Sequence, residues 1–244
     1  MQYLLVFLAG LGAGFVNVLA GGGSMITLPA MTFLGLELNV ANGTNRIGIL
    51  LQNLVASRKF SKGKMLDWKR ALFLAVPTTA GATLGSLTAV QMDTSVLKTV
   101  VGGIFIVMSV FILWKPKVWT QQRQVKRKNW LSVLVFFGIG VYGGFIQAGV
   151  GFFLISALVL LEGYDLVRTN AIKVFIVLCY TSVSLLIFAL NGQINILVGL
   201  ALAAGAMLGG YLGAKTAIQK GANFIRYILF AMVVVSAVNY LFFS

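Results

Sequence analysis

The chain of 244 residues contains no histidine, one cysteine, three prolines and only five acidic residues. Because histidine and cysteine supply most ligands of ordinary zinc and haem sites, we expect no metal site and no cofactor. Cys179 cannot form an intrachain disulfide, and it lies in an apolar run, where cysteine usually behaves as a small hydrophobic residue. The apolar segments also hold no carboxylate pair, so the sequence argues against an enzyme.

Charge of either sign is scarce as well. Charged residues make up 10% of the chain and hydrophobic residues 59%, whereas soluble domains have about 25% and 45–50%. Several apolar runs approach or exceed the roughly 20 residues that cross a bilayer: 71–90, 96–114, 130–148, 174–190 and 194–214. The sequence therefore predicts an all-α polytopic membrane protein whose main surroundings are the lipid bilayer.

The charge that is present is unevenly signed. Nineteen Lys and Arg residues face five acids, a net charge of +14, and most of the basic residues lie in short loops. Basic loops between apolar segments mark the cytoplasmic face of a membrane protein. We therefore expect no nucleic-acid partner and a multi-pass protein of the cytoplasmic (inner) membrane. Its cytoplasmic loops are predicted at 58–70, 115–128 and 215–226.

Two glycine-rich stretches, at 12–24 and 140–151, interrupt apolar runs and are each followed by a short apolar run. Gly35 and Gly163 end those short runs and differ by 163 − 35 = 128, the repeat offset, which Gly23 and Gly151 share. Gly63 and Gly192 match within one residue. The sequence thus predicts two repeats of about five helical segments each, 1–114 and 130–244, joined by a basic cytoplasmic linker at 115–129. The alternative is that Gly-rich apolar helices align with each other by chance. The segments, a to e in each half, are 3–20, 25–34, 42–57, 71–90 and 96–114, then 130–148, 152–161, 169–190, 194–217 and 227–243.

Loop charge indicates how the two repeats are related. The loop between c and d in the first half is strongly basic, but its counterpart at 191–195 has no charge, which puts the two on opposite faces. We therefore expect inverted repeats with Gly-broken short helices near the midplane, an architecture of secondary transporters. This count treats every segment as a crossing. Re-entrant short segments would instead make the halves parallel.

Glycine at a helix break lets backbone N–H groups approach a ligand, and the next helix N-terminus favours an anion. The predicted contributors are Gly22, Gly23, Gly149 and Gly151, with Ser24 expected as the N-cap of the helix that follows. The alternative is that these glycines only form a tight helical hairpin.

Two cations strengthen the interpretation that the glycine breaks bind an anion. Arg46 and Lys173 each lie near the start of an otherwise apolar segment, at positions that differ by 173 − 46 = 127, and the chain has few acids to pair with them. A cation in such a segment usually faces a cavity or a partner, although snorkelling to the interface is an alternative. We expect these residues to bind an anionic substrate. Neighbouring polar residues are predicted to line the same site, although interhelical hydrogen bonding would also explain them: Asn17, Thr44, Asn45, Gln147 and Asn170. Glu37, Glu162 and Asp165 are expected to be solvated loop ends, and proton relay is the alternative.

At these residues the chain resembles the sulfite exporter TauE/SafE family of membrane transporters. The matching elements are the Gly-Gly-Gly-Ser sequence ending at Ser24, Gly43-Thr-Asn-Arg46, the Gly63 loop and Thr169-Asn-Ala-Ile-Lys173. With the duplicated organisation and the basic central loop, the resemblance covers essentially the whole chain. The resemblance implies a transporter that moves sulfite, a sulfonate or a related sulfur anion. One departure from the repeat is that Gly21-Gly-Gly becomes Gly149-Val-Gly.

We therefore expect a secondary transporter that exports a small sulfur-containing anion. An anion channel on the same scaffold is the alternative, and counterflow separates the two because a channel shows none. The sequence leaves open which anion is carried, the direction of flux, the coupling ion and the oligomeric state, and a homodimer is compatible with it.

Overall fold

The computed structural model describes residues 2–92, 125 and 128–243, and all the regular secondary structure in these residues is helical. Eight helices fall in this part of the chain. In order they are α1 (Gln2–Leu19), α2 (Ser24–Phe33), α3 (Leu38–Lys62), α4 (Trp68–Gln91), α5 (Asn129–Phe145), α6 (Val150–Leu160), α7 (Leu166–Leu190) and α8 (Ile196–Phe243). Helix α8 is broken at Gly221, where φ is 73°.

Four of these helices are long and apolar enough to cross a membrane: Gln2–Leu19, Trp68–Gln91, Leu166–Leu190 and Ile196–Leu229. Large apolar side chains on α1, α4 and α8 are exposed, among them Leu8, Val76 and Leu200. An apolar exterior of this extent suits lipid rather than water. The all-α membrane class predicted from composition is confirmed.

Corresponding helices of the two halves match in length and position. Helices α3 and α7 each have 25 residues, and the repeat offset separates both their first and their last residues. The next helices begin at Trp68 and Ile196, again at the repeat offset. The connecting turns match too, since Lys64 (φ 56°) and Gly192 (φ 69°) are the left-handed residues. Gly192 therefore corresponds to Lys64, one residue after the glycine that the sequence comparison paired with it.

The first helix of each half lies against the fourth helix of the other half. A Cβ placed on Gly205, Gly209 or Gly213 of α8 would meet the backbone oxygens of Phe7, Leu11 and Phe15 of α1, in that order. Because the two sets of numbers rise together, α1 and α8 run in the same direction. Helices α4 and α5 make the corresponding parallel contact, in which Gly81 meets Phe137 and Gly85 meets Val141.

Helices α5 and α6 form a hairpin whose outer ends lie side by side. Ser132, near the start of α5, donates to Glu162, just after α6, at 2.7 Å. Arg70, near the start of α4, donates two bonds of 2.7 Å to the same carboxylate and one of 2.9 Å to Asn129. The chain therefore returns to the side from which α5 began, a result that either two crossings or one re-entrant hairpin would give.

Helices α1 and α2 form the other hairpin, and it opens toward the other end of the bundle. Gln193, in the turn between α7 and α8, donates to the oxygen of Val90 at the far end of α4. Helix α8 starts at this end, and α1, which is parallel to it, starts there too. Asn39 at the start of α3 donates to the oxygen of Met92, so the chain after α2 has also returned to this end.

The two hairpins thus point toward each other from opposite ends. The sequence-based count gave each half five crossings. If the two hairpin segments of a half do not cross, three crossings remain, which is still an odd number, so re-entrant hairpins do not make the halves parallel. The inverted repeat as such and the divisions at 1–114, 115–129 and 130–244 stay predictions. Segment e (96–114) and most of the linker lie outside the described residues.

The outer ends of the hairpins differ in chemistry. Glu162 is 2% exposed and ion-paired with Arg70 at 2.7 Å, so the expectation of a solvated loop end is wrong. At the repeat offset, the counterpart of Glu162 in the first half is Leu34, and the counterpart of Arg70 is Val198. Both pack against a small apolar cluster that includes Val6. One hairpin is therefore held by a buried ion pair and the other by apolar contacts.

Candidate functional site

The glycine turns at the two helix breaks touch each other in the interior. Gly21 has φ +87°, and a Cβ there would overlap the backbone of Gly151; a Cβ on Gly151 would likewise overlap Gly21. Gly149, the counterpart of Gly21, has φ 75°. Only glycine combines a left-handed backbone with so close an approach. The two stretches singled out in the sequence therefore meet at one point of the fold.

The short helices start at these turns without side-chain caps. The N-cap of α2 is Gly23 and that of α6 is Gly149, and neither helix start has a capping side-chain hydrogen bond. The expectation that Ser24 is the N-cap is wrong. Ser24 is the first residue of α2, and its Oγ accepts a 3.0 Å bond from Asn45 Nδ2. Both helix starts present their positive ends toward the region between the hairpins.

Arg46 of α3 is fully buried beside the tip of α5. Its guanidinium donates to the backbone oxygens of Gly143 at 3.3 Å and Gly144 at 2.5 Å, and to Gln147 Oε1 at 3.2 Å. The ring of Phe188 lies 4.4 Å from the guanidinium carbon. Arg46 Nε is buried, and no described residue supplies it with a hydrogen-bond acceptor.

Lys173 of α7 makes the corresponding contact with the tip of α1. Its ammonium donates to the backbone oxygens of Asn17 and Val18, both at 2.9 Å. Lys173 is 2% exposed and Arg46 is 0% exposed, so neither side chain snorkels to the surface. Within the described residues neither cation has a carboxylate partner, and each lies at the negative end of a helix instead.

Asn170 and Asn42, which are separated by the repeat offset, each donate a hydrogen bond to the first helix of the other half. Asn170 Nδ2 donates to the oxygen of Leu19 at 3.0 Å, and Asn42 Nδ2 donates to the oxygen of Phe145 at 2.9 Å. Asn170 therefore bonds the last residue of α1. Thr44 lies elsewhere, since its Oγ1 accepts from the backbone N–H of Asn195 between α7 and α8.

A small polar cavity lies at the start of α2, between α1, α3 and α8. Its volume is about 10 Å³, and Asn17, Ser24 and Asn45 are among the predicted site residues that line it. Two further polar side chains, Thr27 and Gln52, also line it and were not singled out from the sequence. In the sequence, these two residues are marked only as polar side chains in apolar segments, a feature that many purely structural residues have. We call this space the α2 cavity.

The second half has no equivalent polar lining among its described residues. At the repeat offset, the counterparts of Ser24 and Gln52 are Phe152 and Tyr180, both buried. Gln147 Nε2 donates to the Tyr180 hydroxyl at 2.7 Å, so this predicted site residue bonds Tyr180 as well as Arg46. Apolar and aromatic side chains thus occupy the space beside the second glycine turn, which precedes α6.

At the same offset the counterpart of Lys173 is Asn45 rather than Arg46. The two cations are therefore one residue out of register on their helices, although each reaches carbonyls in the last turn of the other half's first helix. The side chains that the described residues bring together at the turns are amides, hydroxyls and two cations. No group of three or more His, Cys, Asp or Glu that could hold a metal ion occurs in this part of the chain.

Comparison with known proteins identifies a family and several relatives that resemble this chain. The model of the family "Sulfite exporter TauE/SafE" matches residues 6–240. A "Probable membrane transporter protein" of Haemophilus influenzae is 30% identical over 223 residues, covering 91% of this chain and 88% of the relative. Similar proteins of Sinorhizobium sp (28%, 97% and 91% covered) and Escherichia coli strain K12 (YfcA; 27%, 96% and 86%) are also named probable membrane transporters. No solved structure matches the chain significantly.

Proposed function

Because the chain belongs to the sulfite exporter TauE/SafE family and is a membrane transporter, we propose that it is a secondary transporter for a small sulfur-containing anion. Sulfite and organosulfonates are the substrate class, and export across the cytoplasmic membrane is the direction. The family description supports the sulfur anion and the direction, and the two buried cations support an anion of any kind.

The observation that carries the proposal is the burial of Arg46 and Lys173 without a carboxylate partner in the described residues. Each is held by carbonyls at a helix end, which carry about half an elementary charge, so a net positive charge is left on each side of the glycine turns. An isolated buried charge is costly, and a mobile anion between the two would offset part of that cost. Oxyanions also accept several hydrogen bonds at once, which suits guanidinium and ammonium donors.

The glycine turns supply the second element of the proposed site. The N-termini of α2 and α6 start beside the contact between Gly21 and Gly151, and neither is capped by a side chain. In secondary transporters such half-helix ends lie near the midplane and face anionic groups. We propose that the hairpins move relative to the α3, α4, α7 and α8 bundle, and that this motion exposes the anion to one side at a time.

The proposed orientation rests on the basic ends of the helices. Lys59 and Lys62 lie in the last turn of α3, beside Gly63, where a Cβ would be 3.1 Å from Ile218 of α8. The Arg70 contact with Asn129 joins the start of α4 to the start of α5 after the linker. The described parts of the three basic regions thus lie at one end of the bundle, which we propose is cytoplasmic.

A binding screen tests the substrate class. Purified protein is heated in the presence of sulfite, sulfate, thiosulfate, a short alkanesulfonate or chloride, and the thermal midpoint is compared with the unliganded protein. A ligand that binds the folded state raises the midpoint in a concentration-dependent manner. We expect sulfite or the sulfonate to stabilise the protein and chloride not to do so. If none of the sulfur anions binds, the substrate proposal is wrong.

A further inference from the structure

The α2 cavity holds a polar side chain that the described fold leaves without a partner. Gln52 is 2% exposed, and its Nε2 donor has no hydrogen-bond acceptor although it lines the cavity. Buried donors in folded proteins nearly always have acceptors. An acceptor that the described residues do not supply is therefore expected at this position.

The neighbouring side chains are arranged to offer a second donor. Asn45 Oδ1 accepts from the Thr27 hydroxyl at 2.7 Å, and Asn45 Nδ2 donates to Ser24 Oγ at 3.0 Å. Because Ser24 Oγ accepts the Asn45 proton, its own proton remains available. Asn45 is held on both sides, so the Ser24 hydroxyl is fixed in place at the wall of the cavity.

The electrostatics of the cavity favour a negative ligand over a cation. The positive end of α2 begins at its wall, because Gly23 and Ser24 both line it. Asn17 also lines it, and the backbone oxygen of Asn17 is bonded to the Lys173 ammonium at 2.9 Å. None of the residues that line the cavity is acidic.

In the second half, buried apolar and aromatic side chains fill the space that corresponds to the α2 cavity. The counterparts of Ser24, Thr27 and Gln52 are Phe152, Ile155 and Tyr180, which are 2%, 0% and 0% exposed. The Tyr180 hydroxyl already accepts from Gln147. A pair of equivalent half-sites, one per repeat, is therefore not what the side chains provide.

We propose that the α2 cavity is the oxyanion-binding subsite of the chain, and that the second glycine turn provides no equivalent polar cavity. Gln52 Nε2 and the Ser24 hydroxyl donate to one oxygen of the anion, and each chain binds one anion. The cavity volume of about 10 Å³ accommodates one oxygen-sized group. The rest of the anion extends toward the glycine turns. This inference rests on the proposed anion transport and assigns the residues that select the substrate.

The test is a titration of purified full-length protein with sulfite by isothermal calorimetry. Gln52→Met keeps the length of the side chain and removes its donor, and we expect the dissociation constant to rise about tenfold, as for loss of one hydrogen bond to a charged ligand. Asn53→Leu is the matched control, since Asn53 is also buried in α3 but bonds the oxygen of Ile49 within its own helix. We expect this variant to bind sulfite like the wild type, at one anion per chain.

If Gln52→Met does not fold, Ser24→Ala provides a second test of the subsite. It removes only one oxygen atom, so it disturbs the fold less. A weakened affinity in Ser24→Ala with normal affinity in Asn53→Leu supports the subsite. If the wild type binds sulfite and Lys173→Gln weakens binding while Gln52→Met and Ser24→Ala do not, the subsite is wrong and the transport proposal survives. Two anions per chain would also overturn it. A wild type that binds neither sulfite nor a sulfonate contradicts the transport proposal itself.

Discussion

The ammonium of Lys173 lies 2.9 Å from the backbone oxygen of Asn17, a residue 156 positions earlier in the chain. Arg46 makes the reciprocal contact, with its guanidinium on the oxygens of Gly143 and Gly144. Each half therefore places a buried cation on the tip of the first helix of the other half. A movement of either hairpin changes the surroundings of a charge that belongs to the opposite repeat.

Neutralising either cation is predicted to abolish transport. In Lys173→Gln and Arg46→Gln we expect the flux of sulfite to fall by about tenfold or more, since hydrogen bonds to charged groups contribute about 1.5–3 kcal/mol. Flux into proteoliposomes is measured at equal amounts of inserted protein. Lys62→Gln, which removes an exposed cation at the end of α3, is the control with normal flux. Normal flux in either buried variant would contradict the assignment.

The contact between the glycine turns gives a prediction with an internal control. Gly21→Ala places a Cβ against Gly151 and strains a left-handed backbone, whereas Gly35→Ala adds the same strain (φ +90°) with no described atom within 4 Å of the new Cβ. We expect Gly35→Ala to cost about 1–2 kcal/mol of stability and to transport normally. Gly21→Ala is expected to lose more stability and all transport. Thermal unfolding and flux are measured on both.

Equal behaviour of the two alanine variants would mean that the turns do not constrain each other. A loss of transport in Gly35→Ala would show that backbone strain alone explains the effect. Either result removes the argument that the meeting of Gly21 and Gly151 matters for transport.

The buried ion pair at the outer end of the second hairpin is predicted to stabilise the fold. Glu162→Gln keeps the shape of the side chain but leaves Arg70 without a charge partner, and we expect a loss of about 2–4 kcal/mol, near the lower end of values for breaking buried pairs because Arg70 is partly exposed. The control is Asp165→Asn, since Asp165 caps α7 through Val167 and Arg168 and asparagine caps nearly as well. Denaturation in detergent measures both, and equal stabilities would contradict the prediction.

Asn170 is predicted to hold the tip of α1 in place. Asn170→Ala removes the 3.0 Å bond to Leu19, leaves that oxygen unpaired in the interior, and is expected to cost about 1–3 kcal/mol. Asn191→Ala removes an exposed bond of 2.8 Å to Ile187 and is expected to cost much less. The thermal midpoint distinguishes the two. An Asn170 variant as stable as Asn191→Ala would show that this contact between the halves is unimportant.

Much of the repeat could be predicted from local chemistry. Glycine is favoured wherever the backbone is left-handed or closely approached, so the pairs Gly35/Gly163 and Gly23/Gly151 carried the same repeat offset that relates helices α3 and α7. The sequence-based pairing of Gly63 with Gly192 was wrong by one residue, because Lys64, not a glycine, adopts the left-handed backbone in the turn after α3. Sequence patterns identify such non-glycine positions poorly.

The remaining features depend on contacts between distant residues. Nothing in the short segment before Glu162 indicates that it turns back, because the ion-pair partner, Arg70, is 92 residues away. Gln52 resembles any polar residue in an apolar helix until its neighbours are known. The sequence shows that the two glycine stretches differ, but the structure is needed to see that Phe152 and Tyr180 occupy the place that Ser24 and Gln52 leave open.

Counterflow of labelled sulfite in proteoliposomes tests the central claim most directly. Vesicles that contain the wild-type protein are loaded with unlabelled sulfite and diluted into a trace of labelled sulfite. A transporter with alternating access is predicted to accumulate label transiently above its equilibrium level, faster than in vesicles without internal sulfite, and Lys173→Gln vesicles are predicted to show neither effect. Uptake that is the same with and without internal sulfite would contradict the account and indicate a channel, and absence of any uptake would contradict sulfite as the substrate.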